Sequence, residues 1–259
     1  MTAAVLLGLG IGVLLGLVGG GGSILAVPAL IYGVGLPLSR AVPTSLLVVG
    51  ISSAVAAVPR WVHREVQWRI AAVFGAAGIP AAFAGAAINR LVPPPVLLFG
   101  FVALMLLAAY RMLQGDEQEG GDCALPGGGV NWRSCLPKAI AAGMGVGFLT
   151  GLFGVGGGFV IVPALVLLLG LPMTLAVGTS LVIVGINSAA GFLAHLGEAF
   201  LDPTITVAFT LATVTGALVA GRLGSRLSGD WLRRGFAYLV VAVAVFVAFQ
   251  AFSNPGATG

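Results

Sequence analysis

The 259-residue sequence contains very little charge: Asp, Glu, Lys and Arg together make up 8% of the chain, whereas soluble domains carry about 25%. So few charges cannot cover the surface of a water-soluble globule of this length, and 59% of the residues are hydrophobic. This composition excludes soluble enzymes, nucleic-acid-binding proteins and disordered chains. It predicts an all-α integral membrane protein with several spans, surrounded by the lipid bilayer.

Cysteine and histidine are equally scarce, with two residues of each. Cys123 and Cys135 lie in one polar stretch without a CxxC pair, so we expect both thiols to be reduced and unpaired. His63 and His195 fall at predicted membrane edges, where an interfacial anchor and a proton relay both remain open. The apolar runs contain no HExxH motif and no paired carboxylates. The sequence therefore predicts a protein that is not an enzyme, with no catalytic residue, metal or cofactor.

One long polar segment, from Gln114 to Lys138, interrupts the apolar chain. Its acidic residues and its glycine-rich turn are typical of a solvated linker. We therefore divide the chain into an N-terminal membrane repeat (1–113), a linker (114–138) and a C-terminal membrane repeat (139–259).

The two membrane regions are copies of one another. A shift of 135 residues without a gap aligns residues 8–54 with residues 143–189, and more than half of the paired positions are identical. Both copies contain a glycine-rich cluster, a Val-Pro-Ala-Leu segment, a Gly-Leu-Pro turn and a Thr-Ser-Leu sequence. Further along, the match continues weakly if one residue is inserted. The pattern indicates an internal duplication.

Each half contains five apolar runs, and the last three of each can span a membrane as helices of about 20 residues. These runs cover residues 41–58, 70–88 and 95–113 in the first half, and 174–194, 203–221 and 235–252 in the second. The first two runs of each half are too short singly, and consecutive glycines separate them. Each such pair is either a re-entrant hairpin with its apex inside the membrane or one broken, tilted span.

The basic residues distinguish these two arrangements. They follow the third run in the first half, at Arg60, Arg64 and Arg69, but the fourth run in the second half, between Arg222 and Arg234. With hairpins the halves are inverted, and ten of the 12 Lys and Arg residues share one side; with spans the split is six against six. The positive-inside rule favours the hairpins and places the basic side, with the linker, in the cytoplasm. The net charge of +4 therefore reports topology and not a nucleic-acid partner.

Inverted repeats with interrupted helices are typical of secondary transporters, which bind substrate near the midplane. Each hairpin apex would present helix N-terminal N–H groups, and glycines let an anion approach that backbone closely. The alternative is close helix packing, which the four-residue spacing of Gly8, Gly12 and Gly16 indicates for those glycines. The candidate anion-binding residues at the two apices are Gly21, Gly22, Ser23, Gly156, Gly157 and Gly158.

Polar residues early in the third run of each half extend this candidate site. The hydroxyls of Thr44 and Ser45, and of Thr179 and Ser180, can donate hydrogen bonds to an oxyanion or back to their own helix carbonyls. Asn187 is costly in lipid, so we expect it to face the protein interior, where contact with substrate is one option.

The glycine clusters followed by VPAL, Gly-x-Pro and Thr-Ser resemble the TauE/SafE sulfite-exporter family of membrane permeases, over nearly the whole chain. The matching stretches are 16–22 with Val27-Pro28 and 151–158 with Val162-Pro163; the first copy has Ser23 where the second has Gly158. The resemblance implies transport of sulfite, sulfonates or other small sulfur-containing anions across the cytoplasmic membrane.

We therefore expect a multi-pass permease of the cytoplasmic (inner) membrane that exports sulfite or an organosulfonate by alternating access. Protons are the favoured coupling ion, because no acidic residue lies deep in the apolar runs to form a sodium site. The alternatives are a passive small-anion channel, which would give unitary currents, and a structural subunit, which would give no flux. The sequence predicts no nucleic-acid partner and leaves a homodimer and the identity of the anion open.

Overall fold

The computed structural model describes residues 2–89, 91–114, 132–153, 158–194, 201–224 and 228–253. Within these ranges the chain is helical and forms no strand. The α-helices are α1 (Thr2–Val18), α2 (Ser23–Pro28), α3 (Leu38–Val62), α4 (Trp68–Asn89), α5 (Pro94–Gln114), α6 (Trp132–Phe153), α7 (Gly158–Pro163), α8 (Met173–Ala194), α9 (Pro203–Gly224) and α10 (Gly229–Ser253).

Six of these helices, α3, α4, α6, α8, α9 and α10, are long and apolar enough to span a membrane. They confirm the prediction of an all-α, multi-pass membrane protein. The set differs in one respect from the expected one. Helix α6 qualifies because its apolar stretch begins at Cys135, before the predicted run, whereas α5 contributes only the shorter apolar stretch Phe99–Gln114.

The first two apolar runs fold back on each other. After α1 the chain turns at Gly19, which has a left-handed backbone conformation with φ 77°. A β-carbon placed on Gly22 would lie 2.7 Å from the Ile11 carbonyl oxygen, and one placed on Gly33 would overlap the side chain of Leu7. The contacts move toward the start of α1 as the chain proceeds beyond the turn. The two segments therefore form a helical hairpin and not one broken span.

The VPAL and Gly-Leu-Pro motifs have the same structure in both halves. Pro28 and Pro163 end α2 and α7, and the chain continues in each case as a five-residue π-helix. Proline lacks the N–H group that a regular helical hydrogen bond needs, which favours this local change of winding. Gly35, with φ 81°, and Gly170, with φ 66°, then stop the helix in the left-handed conformation. Equal local structure at both positions is what a duplication predicts.

Two equivalent helix pairs, α1 with α9 and α4 with α6, join the halves. A β-carbon on Gly12 would overlap the carbonyl oxygen of Thr213 in α9, and one on Gly147 would overlap that of Gly78 in α4. The glycines one turn before and after, at positions 8, 16, 143 and 151, approach the partner backbone in the same way. These glycines serve close helix packing, as their spacing predicted.

Helices α3 and α8 occupy equivalent places in the two halves and pack against each other in opposite directions. Leu46 lies against Gly191, whereas Gly50, further along α3, lies against Ser188, earlier in α8. The last helices of the halves, α5 and α10, also contact each other. Buried apolar side chains from both halves merge into one core around these contacts.

These contacts correct one feature of the sequence alignment. Phe74 and Gly78 in α4 meet α6 where Phe209 and Thr213 in α9 meet α1, and both pairs of positions differ by 135 residues. The offset of the first aligned stretch therefore continues through the fourth apolar run. The single inserted residue was wrong, because helix packing and not the match of Ala-Gly pairs determines the register.

The cysteines differ from expectation as well. Cys135, at the start of α6, is buried and disulfide-bonded. The prediction of a reduced, unpaired thiol there was wrong, because the absence of a CxxC pair does not prevent pairing over a longer separation. The only other cysteine, Cys123, belongs to the predicted linker, and residues 115–131 lie outside the described residues.

Candidate functional site

The two glycine-rich turns meet in the structure. A β-carbon on Gly20 would overlap the carbonyl oxygen of Gly158, and one on Gly158 would overlap both the Gly20 carbonyl oxygen and Ser23 Oγ. The Ser23 hydroxyl donates a 2.7 Å hydrogen bond to the Gly20 carbonyl, which fixes the first turn of its segment. The helical segments Gly20–Gly33 and Gly158–Leu168 therefore begin next to each other. Their unpaired N–H groups and positive dipole ends converge on one region.

The other described apex glycines are in tight surroundings. A β-carbon on Gly21 would lie 3.5 Å from the ring of Phe236 in α10, and one on Gly22 would lie 3.0 Å from the Leu15 backbone nitrogen. Gly22 therefore packs against α1, in agreement with the packing interpretation of this position. Gly156 and Gly157 lie outside the described residues.

The four predicted hydroxyl-bearing residues are all buried, and three have a defined hydrogen bond. Ser45 Oγ donates to the Val42 carbonyl at 2.8 Å, and Ser180 Oγ donates to the Val177 carbonyl at the same distance. Both serine protons are therefore bonded within their own helix in this conformation, as the second interpretation predicted. Thr179 Oγ1 instead accepts a 3.1 Å hydrogen bond from the Gln67 backbone N–H.

Ser180 is the predicted hydroxyl with a direct contact to an apex. A β-carbon on Gly19 would overlap Ser180 Oγ and would lie 3.2 Å from the Val177 carbonyl oxygen. The start of α8 is thus packed against the turn between α1 and α2. Thr44, in the equivalent region of α3, is 1% exposed.

Asn187 does not face the interior as expected. Its side chain is exposed on α8, and its neighbour Ser188 takes the buried position against Gly50. One residue corresponds to a rotation of about 100° around a helix. The polar amide follows the exposed face on which Ile186 and Ala189 also lie, so the prediction was wrong about its orientation.

Sequence analysis missed a buried cation close to the first apex. Arg60 was assigned to a loop, but it lies in the last turns of α3 and is only 3% exposed. Its guanidinium donates from Nη1 to Glu65 Oε2 at 3.0 Å and from Nη2 to the Gly16 carbonyl at 3.1 Å. Among the described residues it is the one buried charged side chain. The only sequence signal was its place five residues before a glutamate.

Two phenylalanines on the last helices were missed as well. Phe101 in α5 packs edge-on against Phe159 at the start of α7, with 5.3 Å between ring centres, and Phe236 in α10 lies against Gly21. Phe101 and Phe236 are 135 residues apart. The ungapped repeat alignment, extended to the end of each half, would have paired them.

The histidines add little to the site. His63 follows α3 and is exposed, and its side chain helps to line a small cavity beside Arg60. His195 lies outside the described residues. The described residues contain no group of three or more His, Cys, Asp or Glu side chains that could hold a metal ion. The chemistry that the region offers is hydrogen bonding from backbone N–H groups and hydroxyls, next to one buried guanidinium.

Comparison with known proteins covers almost the whole chain. A family model described as sulfite exporter TauE/SafE matches residues 4–247. A probable membrane transporter protein of Xylella fastidiosa is 34% identical over 251 residues, which cover 94% of this chain and 93% of that protein. The probable membrane transporter protein YunE of Bacillus subtilis is 28% identical over 273 residues, with 95% of both chains covered. No solved structure matches the chain.

Proposed function

Because the chain belongs to the sulfite exporter TauE/SafE family, we propose that it exports a small sulfur-containing anion, sulfite or an organosulfonate, across the cytoplasmic membrane. The protein is a membrane transporter and not an enzyme. Substrate, direction and mechanism are the proposal. They are supported by the family and by a region whose hydrogen-bond donors suit an oxyanion.

We propose two inverted repeats, residues 1–113 and 139–259, each with a re-entrant hairpin and three transmembrane helices. The opposite directions of the equivalent helices α3 and α8 support the inversion, because a two-fold axis in the membrane plane reverses every helix. The reversal of the chain between α1 and α2 supports the hairpin. The linker, residues 114–138, would then connect the repeats on the basic, cytoplasmic side.

The observation that carries the proposed site is the backbone contact between Gly20 and Gly158. Two helix starts at one point can bind an anion between them with main-chain N–H groups. The hydroxyls of Thr44, Ser45, Thr179 and Ser180 would supply further donors, with the remaining apex residues Gly21, Gly22, Ser23, Gly156 and Gly157 around them. We leave Asn187 out of this site because its side chain is exposed.

The same contact supports alternating access over a static pore. The two apices are too close to admit even a β-carbon, so no anion fits between Gly20 and Gly158 in this conformation. The apices must separate to bind substrate. Such a separation, coupled to rocking of the two repeats, is the movement that an alternating-access carrier requires.

Flux measurements with purified protein in liposomes test this function. Vesicles loaded with sulfite, thiosulfate or an organosulfonate should release one of these anions with saturable kinetics and should show counterflow. Protein-free vesicles are the control, and an imposed pH gradient tests proton coupling. Unitary currents in planar bilayers would identify a channel instead, and absence of flux for all three anions would refute the transport proposal.

Topology has its own test, because two observations disagree about the linker. The basic residues place it in the cytoplasm, whereas a disulfide at Cys135 is more typical of an oxidising compartment. In a variant with both native cysteines changed to serine, we would introduce Leu91→Cys, in the turn after α4, or Ser228→Cys, before α10; both positions are exposed. An impermeant maleimide on intact cells should label only the first. The reverse pattern would overturn the orientation.

A further inference from the structure

We propose that Arg60 forms a second oxyanion-binding subsite on the basic side of the transporter, in which the Glu65 carboxylate occupies the place that substrate takes during transport. This inference rests on the proposed function, because it assigns a further position to the path of the same anion. Its chemistry is that of a guanidinium recognising a small, negatively charged oxygen ligand such as sulfite.

The first argument is the unused binding capacity of a buried cation. Arg60 is 3% exposed, yet its Nε has no hydrogen-bond partner among the described residues. Its Nη1 and Nη2 each make one hydrogen bond, to Glu65 and to the Gly16 carbonyl. A guanidinium carries five N–H donors in a planar fork that fits two oxygens of one anion. The present contacts leave part of that fork unoccupied.

The second argument is the space beside this group. A cavity of about 30 Å³ is lined by Arg60, His63, Glu65 and Arg222, together with apolar residues of α3 and α9. This volume holds a water molecule, but not a larger anion unless the Glu65 carboxylate moves away. Glu65 can move, because its side chain retains 21% exposure whereas that of Arg60 retains 4%. The lining is rich in basic side chains and contains one carboxylate, so the removal of that carboxylate leaves a site for an anion.

The third argument is the connection between Glu65 and the proposed substrate helix. The segment between α3 and α4 is folded tightly, with Arg64 in a left-handed conformation and the Glu65 N–H bonded to the Arg60 carbonyl at 2.8 Å. A β-carbon on Gly178 would overlap the Glu65 carbonyl oxygen. Two residues later, the Gln67 N–H bonds to Thr179. Displacement of Glu65 would therefore loosen the contacts of this segment with the start of α8.

The fourth argument is the short distance along the chain to the first apex. Arg60 binds the carbonyl of Gly16, which lies within one helical turn of Gly19. Gly19 in turn packs against Ser180, one residue after Thr179. An anion that exchanges with Glu65 on Arg60 would thus arrive next to the hairpin turn and next to the hydroxyls of α8. The subsite is a station between the basic side and the apices.

The test compares two substitutions with opposite expected signs in the purified full-length protein, with sulfite as the probe. Glu65→Gln keeps the shape of the side chain and removes the competing charge, so sulfite should bind about tenfold more tightly. Arg60→Lys keeps the charge but loses the fork, so sulfite should bind at least about tenfold more weakly. Arg64→Gln, at an exposed neighbour, is the matched control and should bind as the wild type does.

Binding can be followed with local probes. Trp61 and Trp68 lie on either side of the segment, in an edge-to-face pair with 5.6 Å between ring centres, so their emission reports its movement. Chloride at equal ionic strength controls for general screening. A purely structural role of the ion pair would lower thermal stability in both variants without shifting sulfite affinity in opposite directions.

The outcomes separate this inference from the proposed function. Wild-type transport of sulfite together with unchanged affinity in Glu65→Gln would refute the subsite, and this arm decides alone if Arg60→Lys does not fold. A protein that does not move sulfite, but whose Glu65→Gln variant binds it more tightly, would refute the transport proposal and support the subsite. Tighter binding with retained transport would support both.

Discussion

The ends of the two hairpin helices, α1 and α6, are built alike but capped differently. At the end of α6, the Asn89 amide from α4 donates a 2.6 Å hydrogen bond to the Leu152 carbonyl. The position equivalent to Asn89 in the second half is Gly224, which lies beside Arg60. There the Arg60 guanidinium takes the role of the amide and binds a carbonyl of α1. One end thus has a neutral cap and the other has a buried ion pair.

This difference shows which properties the duplication retained. Packing is shared, because glycines, prolines and phenylalanines at equivalent positions make equivalent contacts in both halves. Charge is not shared, because a buried cation contacts only one of the two described helix ends. An anion that crosses the molecule therefore meets different chemistry on the two sides. In our proposal, the charged end recruits the anion and the neutral end releases it.

The largest effect should come from breaking the shared packing. Gly12→Leu in α1 and Gly147→Leu in α6 would force a side chain into the backbone of the partner helix. Overpacking of this kind costs about 1–3 kcal/mol or more, and here there is no flexible side chain that could yield. We expect both variants to lose folded yield and to give no monodisperse peak in size-exclusion chromatography.

The repeat supplies matched controls for these two changes. Gly10 and Gly145 are equivalent to each other, and a β-carbon on either would meet nothing within 4 Å. Gly10→Leu and Gly145→Leu should therefore fold normally. If the control variants were lost as readily as the packing variants, the assignment of the helix contacts would be wrong.

The second effect concerns the charged end alone. Arg60→Ala removes one partner of a buried ion pair and leaves Glu65 without its cation, which costs about 3–5 kcal/mol. Removing both partners, in Arg60→Ala with Glu65→Ala, should restore part of this loss because no uncompensated charge remains. Thermal unfolding of the purified variants measures both values. Equal stability of the single and double variants would mean that the pair has no stabilising coupling.

The neutral end should respond less. Asn89→Ala deletes a hydrogen bond between uncharged groups, whose net contribution is about 0.5–1.5 kcal/mol. Denaturation of Asn89→Ala beside Arg60→Ala therefore measures the comparison directly. A cost for Asn89→Ala as large as that for Arg60→Ala would show that the two caps are equivalent after all.

Much of the fold could be predicted from the sequence, and for physical reasons. The 135-residue repeat, the consecutive glycines and the lengths of the apolar runs determine where helices begin and end, since each depends on local backbone properties. Arg60 could not be predicted in this way. Its burial depends on Gly16, Gly224 and Glu65 meeting from three elements, and the sequence gives no sign of such a meeting.

The orientation of Asn187 could not be predicted for a related reason. Burial of a polar residue depends on which helix face meets a neighbour, and a difference of one residue moves a side chain from the buried face to the exposed one. The apices were easier to place, because a hairpin whose apex lies in the membrane brings its glycines to one depth. Their direct contact is a tertiary feature that the repeat suggests but does not specify.

The smallest effect on stability should come from the serine hydroxyls, and it sharpens the comparison of the halves. Ser45→Ala and Ser180→Ala each remove a hydrogen bond to a carbonyl three residues earlier, in a helix that stays intact without it. We expect losses of at most about 1 kcal/mol in unfolding free energy. The two positions are equivalent in the repeat and make the same intrahelical bond, so stability alone does not tell them apart.

Substrate affinity should tell them apart from a purely structural pair. If a serine rotates toward an anion when the apices separate, its loss removes a hydrogen bond to a charged ligand, worth about 1.5–3 kcal/mol, or roughly ten- to 150-fold in affinity. Ser180 already lies against Gly19, so Ser180→Ala is the more direct test of contact with the first apex. Sulfite titration of both variants, beside the wild type, measures this. Unchanged affinity in both would leave the serines with their helix-internal bonds and would confine the anion site to backbone N–H groups, whereas a loss in only one would extend the asymmetry of the capped ends to the substrate site itself.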